Sequence, residues 1–247
     1  MAEKRKGIFF RELFPFTFVV ALWVMHILQG FSHNGLRNLA LLPRHTEGLY
    51  GLVFHPLLHA DFGHLIGNSI PLLVLGLLMF SAYKVIAHRV FFIMYFLTGF
   101  MVWLFARESW HLGASGLVYG LAAFLFFSGI FRRHIKLMVI SLLVVFLYGS
   151  MVWGVLPIDP TVSWEGHLFG ALSGTMLAWV YRREGPQRQV YWQNEPDEEE
   201  EPESVSEEQP VDLDSSQPPP PADPIHPLVN ITYWYRDSQD ESSNREK

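Results

Sequence analysis

Six stretches of the chain are nearly free of charge and rich in Phe, Leu, Val and Trp: residues 14–31, 62–83, 90–106, 112–131, 137–156 and 164–181. Each approaches the roughly 20 residues that a helix needs to cross the apolar core of a bilayer. Inside lipid every backbone N–H and C=O must be satisfied within the segment, so helices are the predicted form. The second stretch contains Pro71, which a membrane helix tolerates as a kink. The sixth is among the shortest and is the least apolar of the set. The pattern predicts an all-α, polytopic membrane protein with six spans.

The polar segments between the stretches orient the chain. With the N-terminus inside, the inner segments hold Lys4, Arg5, Lys6, Arg11, Lys84, Arg89, Arg132, Arg133, Lys136, Arg182, Arg183 and Arg188, and the outer ones only Arg37, Arg44 and Arg107. Cytoplasmic loops carry the excess of Lys and Arg, so both termini are predicted cytoplasmic, which itself requires an even number of spans. The first run is too long for a signal-peptide core and no small-x-small cleavage site follows it, so it reads as a first span. A plasma membrane is the expected location, with the protein crossing it several times.

Composition agrees: half of the 247 residues are hydrophobic, with 20 Phe and 8 Trp. The net charge of −6 hides a division. Residues 1–184 carry 14 basic and 8 acidic side chains, whereas residues 185–247 carry 4 and 16. The chain thus divides into a basic membrane domain, 1–184, and an acidic, Pro-rich tail, 185–247, whose composition predicts disorder. Near the end of the tail, Leu228 to Tyr235 form an apolar and aromatic island, readable as a motif for an unknown partner or as a merely sticky stretch. Asn230-Ile231-Thr232 is a glycosylation pattern, but the cytoplasmic side argues against its use. The absence of Cys excludes disulfides, thiolate chemistry and Cys-based metal sites. The first outer loop, 32–61, is long and partly apolar, and reads equally as short interfacial helices or as a solvated loop.

Polar side chains are expensive in lipid and mark sites. On the assigned topology spans two, four and six enter from outside, and their first turns hold His64 and Asn68, Ser115, and His167. His64 and Asn68 are four apart and share a helix face. Both can donate hydrogen bonds, to a developing oxyanion or across a helix contact. Ser115 in Gly113-Ala114-Ser115-Gly116 sits where free N–H groups and the helix dipole favour negative charge, though a small serine also suits a plain helix contact. Gly166, Gly170 and Gly174 make one bare stripe and Gly116 and Gly120 another. If the stripes face each other, spans four and six approach closely and Ser115 comes within reach of His167 as nucleophile and general base. Tyr119, one turn below Ser115, can pack on the imidazole or simply fill the core. No carboxylate is well placed to complete a triad, Glu165 and Asp159 included. Asp61 reads as a cap of span two or as a solvated side chain. His55, His59 and His64 lack a His-Glu-x-x-His pattern and nearby carboxylate partners, so no metal is expected. His55 and His59 are expected to organise the outer loop by hydrogen bonds.

Taken together, His55-x3-His59-x4-His64-x3-Asn68, Gly113-x-Ser115-Gly116-x2-Tyr119 and Gly166-His167-x2-Gly170-x3-Gly174 resemble the rhomboid family of intramembrane serine proteases in its six-span bacterial form. The resemblance covers about residues 14–183 and leaves out the tail. It implies that Ser115 is the nucleophile and His167 its general base. It implies an oxyanion hole of His64, Asn68 and the Ser115 N–H, with Tyr119 supporting the imidazole and Gly113 and Gly116 flanking the serine. It implies single-span membrane proteins as substrates, cleaved in or next to the span at an active site toward the outer face. No cofactor and no nucleic-acid partner are expected, only membrane proteins and the bilayer. Some members carry a Trp-Arg pair in the first outer loop, where this chain reads Leu49-Tyr50-Gly51-Leu52. Two rivals are a protease-dead relative that binds membrane proteins, which would lack the Ser or the His, and a small transporter, which would spread polar groups through the full depth.

Overall fold

The computed structural model describes residues 13–32, 36–159 and 162–187. The acidic tail beyond 187 and its aromatic island lie outside the described residues. Among the described residues there are six long helices and no strand: α1 (Phe14–Phe31), α2 (Phe62–Ala82), α3 (Ala87–Phe105), α4 (Ser115–Arg132), α5 (Ile135–Tyr148) and α6 (Trp164–Val180). A 3-10 turn, Gly149–Val155, continues α5 outward, giving a 21-residue apolar segment.

Five helices are long and apolar enough to cross a membrane, namely α1 to α4 and the extended α5. The sixth differs for a physical reason. It has 17 residues, and Glu165, His167 and three glycines occupy positions that an ordinary span gives to large apolar side chains. The face of α6 that carries Glu165, His167, Gly170 and Gly174 is buried against protein, while Leu172, Met176 and Trp179 point outward. Its main neighbour is α4, the most extensively packed pair of helices in the fold. Helix α4 is the central element, with 56% of its span buried, against 11% for α1 and 17% for α5, which present Phe, Val, Leu and Ile outward.

The α4–α6 seam rests on glycine. A Cβ on Gly170 would fall on the Gly116 carbonyl, and one on Gly174 on the Gly120 carbonyl. In return, Cβ atoms on Gly116 and Gly120 would lie 3.1 Å from the carbonyls of Gly166 and Gly170. Bare backbone against bare backbone is how membrane helices approach most closely. The two glycine stripes therefore do face each other.

The loop between α1 and α2 is folded as short helical turns, Arg37–Leu39, Thr46–Tyr50, Gly51–Phe54 and His55–Leu57. Ala40, Leu41 and Leu58 are buried in it, so it is not a solvated loop. It docks on α3 and the residues that follow it: the Arg44 guanidinium donates to Ala106 O at 2.6 Å, Trp103 Nε1 to His45 O at 3.1 Å, and the Tyr95 hydroxyl to Val53 O. A lone bridge pairs Leu41 with His111 just before α4. At the C-terminal end of α4, Arg132 is buried. It donates to the carbonyls of Tyr181, Glu184 and Pro186, capping the C-terminus of α6 with a cation.

Candidate active site

Helix α2 begins at an Asp cap: Asp61 Oδ1 accepts the His64 N–H at 2.8 Å. This starts the helix so that His64 and Asn68 face the same way, toward the segment leading into α4. Half-way down, Pro71 has no N–H for the Gly67 carbonyl, and both residues line a cavity.

The lead-in to α4 is held by the loop between α1 and α2. Gly113 N–H donates to His55 O at 2.8 Å, and Ala114 N–H points at His59 Nε2 at 3.5 Å. His55 is fixed in turn by Nδ1–H donating to Gly51 O at 2.6 Å. Burial pushes the pKa of both imidazoles down to about 4, with the neighbouring His64 adding to the effect at His59. A neutral ring is what the geometry requires at His59, because only an unprotonated Nε2 can accept the Ala114 N–H. Gly113 has φ +109°, and a Cβ there would lie 2.6 Å from the His64 ring and 3.6 Å from Asn68 Nδ2. Glycine lets the backbone lie directly against the His64–Asn68 face.

Ser115 is the first residue of α4, so its N–H has no acceptor within the helix. Its Oγ lies 2.9 Å from His167 Nε2. The other ring nitrogen, Nδ1, is 2.8 Å from the carbonyl oxygen of Gly154 in the 3-10 turn after α5. A carbonyl can only accept, so Nδ1 carries the proton and Nε2 is left to accept the Ser115 hydroxyl hydrogen. Tyr119 stacks on the imidazole, with centroids 4.2 Å apart and planes 6° from parallel. Glu165 forms an ion pair with Arg107 at 3.3 Å, so the carbonyl of Gly154 and not a carboxylate orients the ring.

Ser115, His167, His64, Asn68 and Tyr119 all line one cavity of about 730 Å³, which also reaches Asp61 and Arg107. Asn68 is 5% exposed, and its Nδ2 has no hydrogen-bond partner among the described residues. A buried amide donor left unpaired is costly, which makes it a group arranged for something that binds. Among the described residues no three His, Asp or Glu side chains converge as metal ligands. Chemically, the arrangement holds a hydroxyl beside a neutral imidazole in the donating-and-accepting tautomer that nucleophilic catalysis uses.

Gly154 was invisible in the sequence because its contribution is a carbonyl, which every residue has. A trace remained in its side chain: a Cβ at 154 would collide with the Tyr119 hydroxyl and lie 3.3 Å from His167 Nδ1. His111 and Ser163 were missed too; His111 Nδ1 and Ser163 Oγ are 2.6 Å apart, joining the starts of α4 and α6.

A fold of long apolar helices with a polar cavity at one end defines a helical membrane protein with a chemically equipped pocket. Residues 46–184 match the rhomboid domain model, more than half of the chain, and the protein belongs to the rhomboid family. Uncharacterized proteins of Mycobacterium tuberculosis and Mycobacterium bovis are each 39% identical to it over 173 residues, covering 66% of this chain and 72% of theirs. An uncharacterized protein of Mycobacterium leprae is 35% identical over 173 residues, covering 66% of this chain and 68% of its own.

Proposed function

We propose that the protein is an intramembrane serine endopeptidase that hydrolyses peptide bonds in or next to the spans of membrane proteins. The observation that carries the reading is the 2.9 Å contact of Ser115 Oγ with His167 Nε2, in a cavity that also holds the unpaired Asn68 amide. Ser115 Oγ attacks the scissile carbonyl carbon while its proton passes to His167 Nε2. Negative charge collects on the carbonyl oxygen, where His64, Asn68 Nδ2 and the Ser115 N–H stabilise it. Collapse of this intermediate breaks the C–N bond, and the His167 proton goes to the leaving amine. Water then gives its proton to Nε2 and attacks the acyl-enzyme; the C–Oγ bond breaks, and the His167 proton returns to Ser115 Oγ as the acid product leaves.

Helix α6 is the sixth span in this reading, both termini are cytoplasmic, and the cavity opens toward the outer face of a plasma membrane. No cofactor takes part. Substrates are single-span proteins whose helix unwinds at the cleaved bond, since a helical amide is hydrogen-bonded and shielded. Residues 1–184 form the protease domain and 185–247 a separate acidic tail open to a further partner. The protease-dead alternative loses ground because Ser115 and His167 are both present and in contact, and a transporter because the polar groups gather at one end.

The test is labelling of the purified protein by a serine-reactive fluorophosphonate together with cleavage of a model single-span substrate. Both are expected to vanish in Ser115→Ala with thermal stability retained. Equal cleavage by that variant would sink the mechanism. Truncation after Gln187 keeps every carbonyl that Arg132 grips, so activity is expected to persist; its collapse would refute a separable tail.

A further inference from the structure

The glycine seam explains how α4 and α6 come close, but not why they stop in one axial register. Its stripes repeat every four residues. A slip of α6 by four residues, about 6 Å along the axis, would bring Gly166 and Gly170 to the places now held by Gly170 and Gly174. Both replacements are themselves glycines, so the seam tolerates this second register, in which His167 is a full turn away from Ser115.

Three contacts between the segment leading into α4 and the start of α6 distinguish the two registers. Arg107 Nε lies 3.3 Å from Glu165 Oε1, and Arg107 Nη2 donates to Val162 O at 2.8 Å. His111 Nε2 donates to Arg107 O at 3.1 Å, which fixes the tautomer so that Nδ1 accepts the Ser163 hydroxyl at 2.6 Å. None of these links between the two segments survives a one-turn slip. Glu165 and His111 are each 3% exposed. Glu165 is buried and Arg107 partly exposed; an ion pair with a buried member adds little net stability, because desolvation offsets its attraction, and its best-attested use is to specify register. Glu165 stands two residues before His167 and His111 four before Ser115, at the ends where the chemistry sits.

We propose that Arg107 and Glu165, with His111 and Ser163 beside them, are positioning residues that lock the axial register of α6 on α4 and so hold His167 Nε2 against Ser115 Oγ. The proposal rests on the protease reading for its kinetic consequence, but the register itself is measurable without it. The chain has no Cys, so Phe131→Cys and Trp179→Cys, both on outward-facing positions near the inner ends of α4 and α6, accept spin labels as the sole pair.

The experiment compares wild type, Glu165→Gln, Glu165→Asp and the double variant Arg107→Gln/Glu165→Gln by electron–electron distance measurement, substrate cleavage and thermal unfolding. The double variant leaves no uncompensated buried charge, so it remains informative if Glu165→Gln fails to fold. The expected result is a second α4–α6 distance in Gln-bearing variants, with kcat down about 100-fold, KM within about twofold and the unfolding temperature near wild type. Glu165→Asp, which keeps the charge, is expected to recover much of kcat. A single wild-type distance with wild-type kcat in the double variant would overturn the proposal, as would equal loss in Asp and Gln variants. If wild type neither labels nor cleaves, the protease reading fails, while the distance measurement still decides the register lock.

Discussion

His167 Nδ1 lies 2.8 Å from the carbonyl oxygen of Gly154, which makes a backbone group the partner that orients the imidazole. The contact joins α6 to the turn that ends α5. It sets the tautomer that lets Nε2 face Ser115, the role that a carboxylate fills in a serine triad.

Substituting Gly154→Ala places a methyl group on the Tyr119 hydroxyl and crowds His167 Nδ1. Cleavage is expected to fall about 10- to 100-fold with little change in KM. Removing the obstructing hydroxyl with Tyr119→Phe in the same chain should restore part of the loss. A double variant no better than Gly154→Ala alone would show that the collision is not the cause. The readout is kcat and the rate of fluorophosphonate labelling.

Asn68 carries the unpaired amide of the cavity. Its replacement by Ala is expected to lower kcat by about 10²- to 10³-fold, leaving KM nearly unchanged, because the amide is engaged only as charge develops on the carbonyl oxygen. Folding should be little affected, since no protein hydrogen bond is lost. A variant that unfolds while retaining per-molecule activity would assign Asn68 to helix packing instead.

The glycine seam predicts a contrast between two substitutions of identical chemistry. Gly170→Ala drives a methyl group into the Gly116 carbonyl, so it should destabilise the fold by roughly 1–3 kcal/mol and separate Ser115 from His167. Gly30→Ala meets nothing within 4 Å, and should be neutral or slightly stabilising because Ala favours helix. Thermal unfolding in detergent and labelling of Ser115 measure both. Equal behaviour of the two variants would contradict the close α4–α6 contact.

Acid should open the site from the outer loop. His55 and His59 have pKa values of about 4 in the fold, lowered from 6.5 chiefly by burial. Between those values the unfolded chain binds more protons than the folded one, so stability is complete above pH 6.5 and declines as pH falls toward about 4. Protonation of His59 also removes the acceptor for the Ala114 N–H, next to Ser115. Unfolding temperature measured from pH 8 to 4 should drop across that window, and His59→Gln should flatten the drop. A flat profile in wild type would show that these rings do not stay neutral in the fold.

The helices were legible because lipid leaves the chain little choice: apolar runs of spanning length must be helical, and five of the six have both the length and the composition to cross. Ser115, His167, His64 and Asn68 stood out because polar groups at the ends of such runs are rare enough to be noticed. The glycine stripes at 116 and 120 and at 166, 170 and 174 even indicated which helices meet. Tertiary structure decided the remainder, and for one reason: it depends on backbone atoms and on pairings between distant segments. The Gly154 carbonyl leaves no mark of its own in a sequence, and a periodic stripe does not state its register. Arg107 and Glu165, 58 residues apart, have no spacing that announces an ion pair. The amino-acid order specified which polar groups stand at the starts of α2, α4 and α6. Only the packing of α4, α6 and the turn after α5 brought a hydroxyl, an imidazole and a carbonyl into one line of hydrogen bonds.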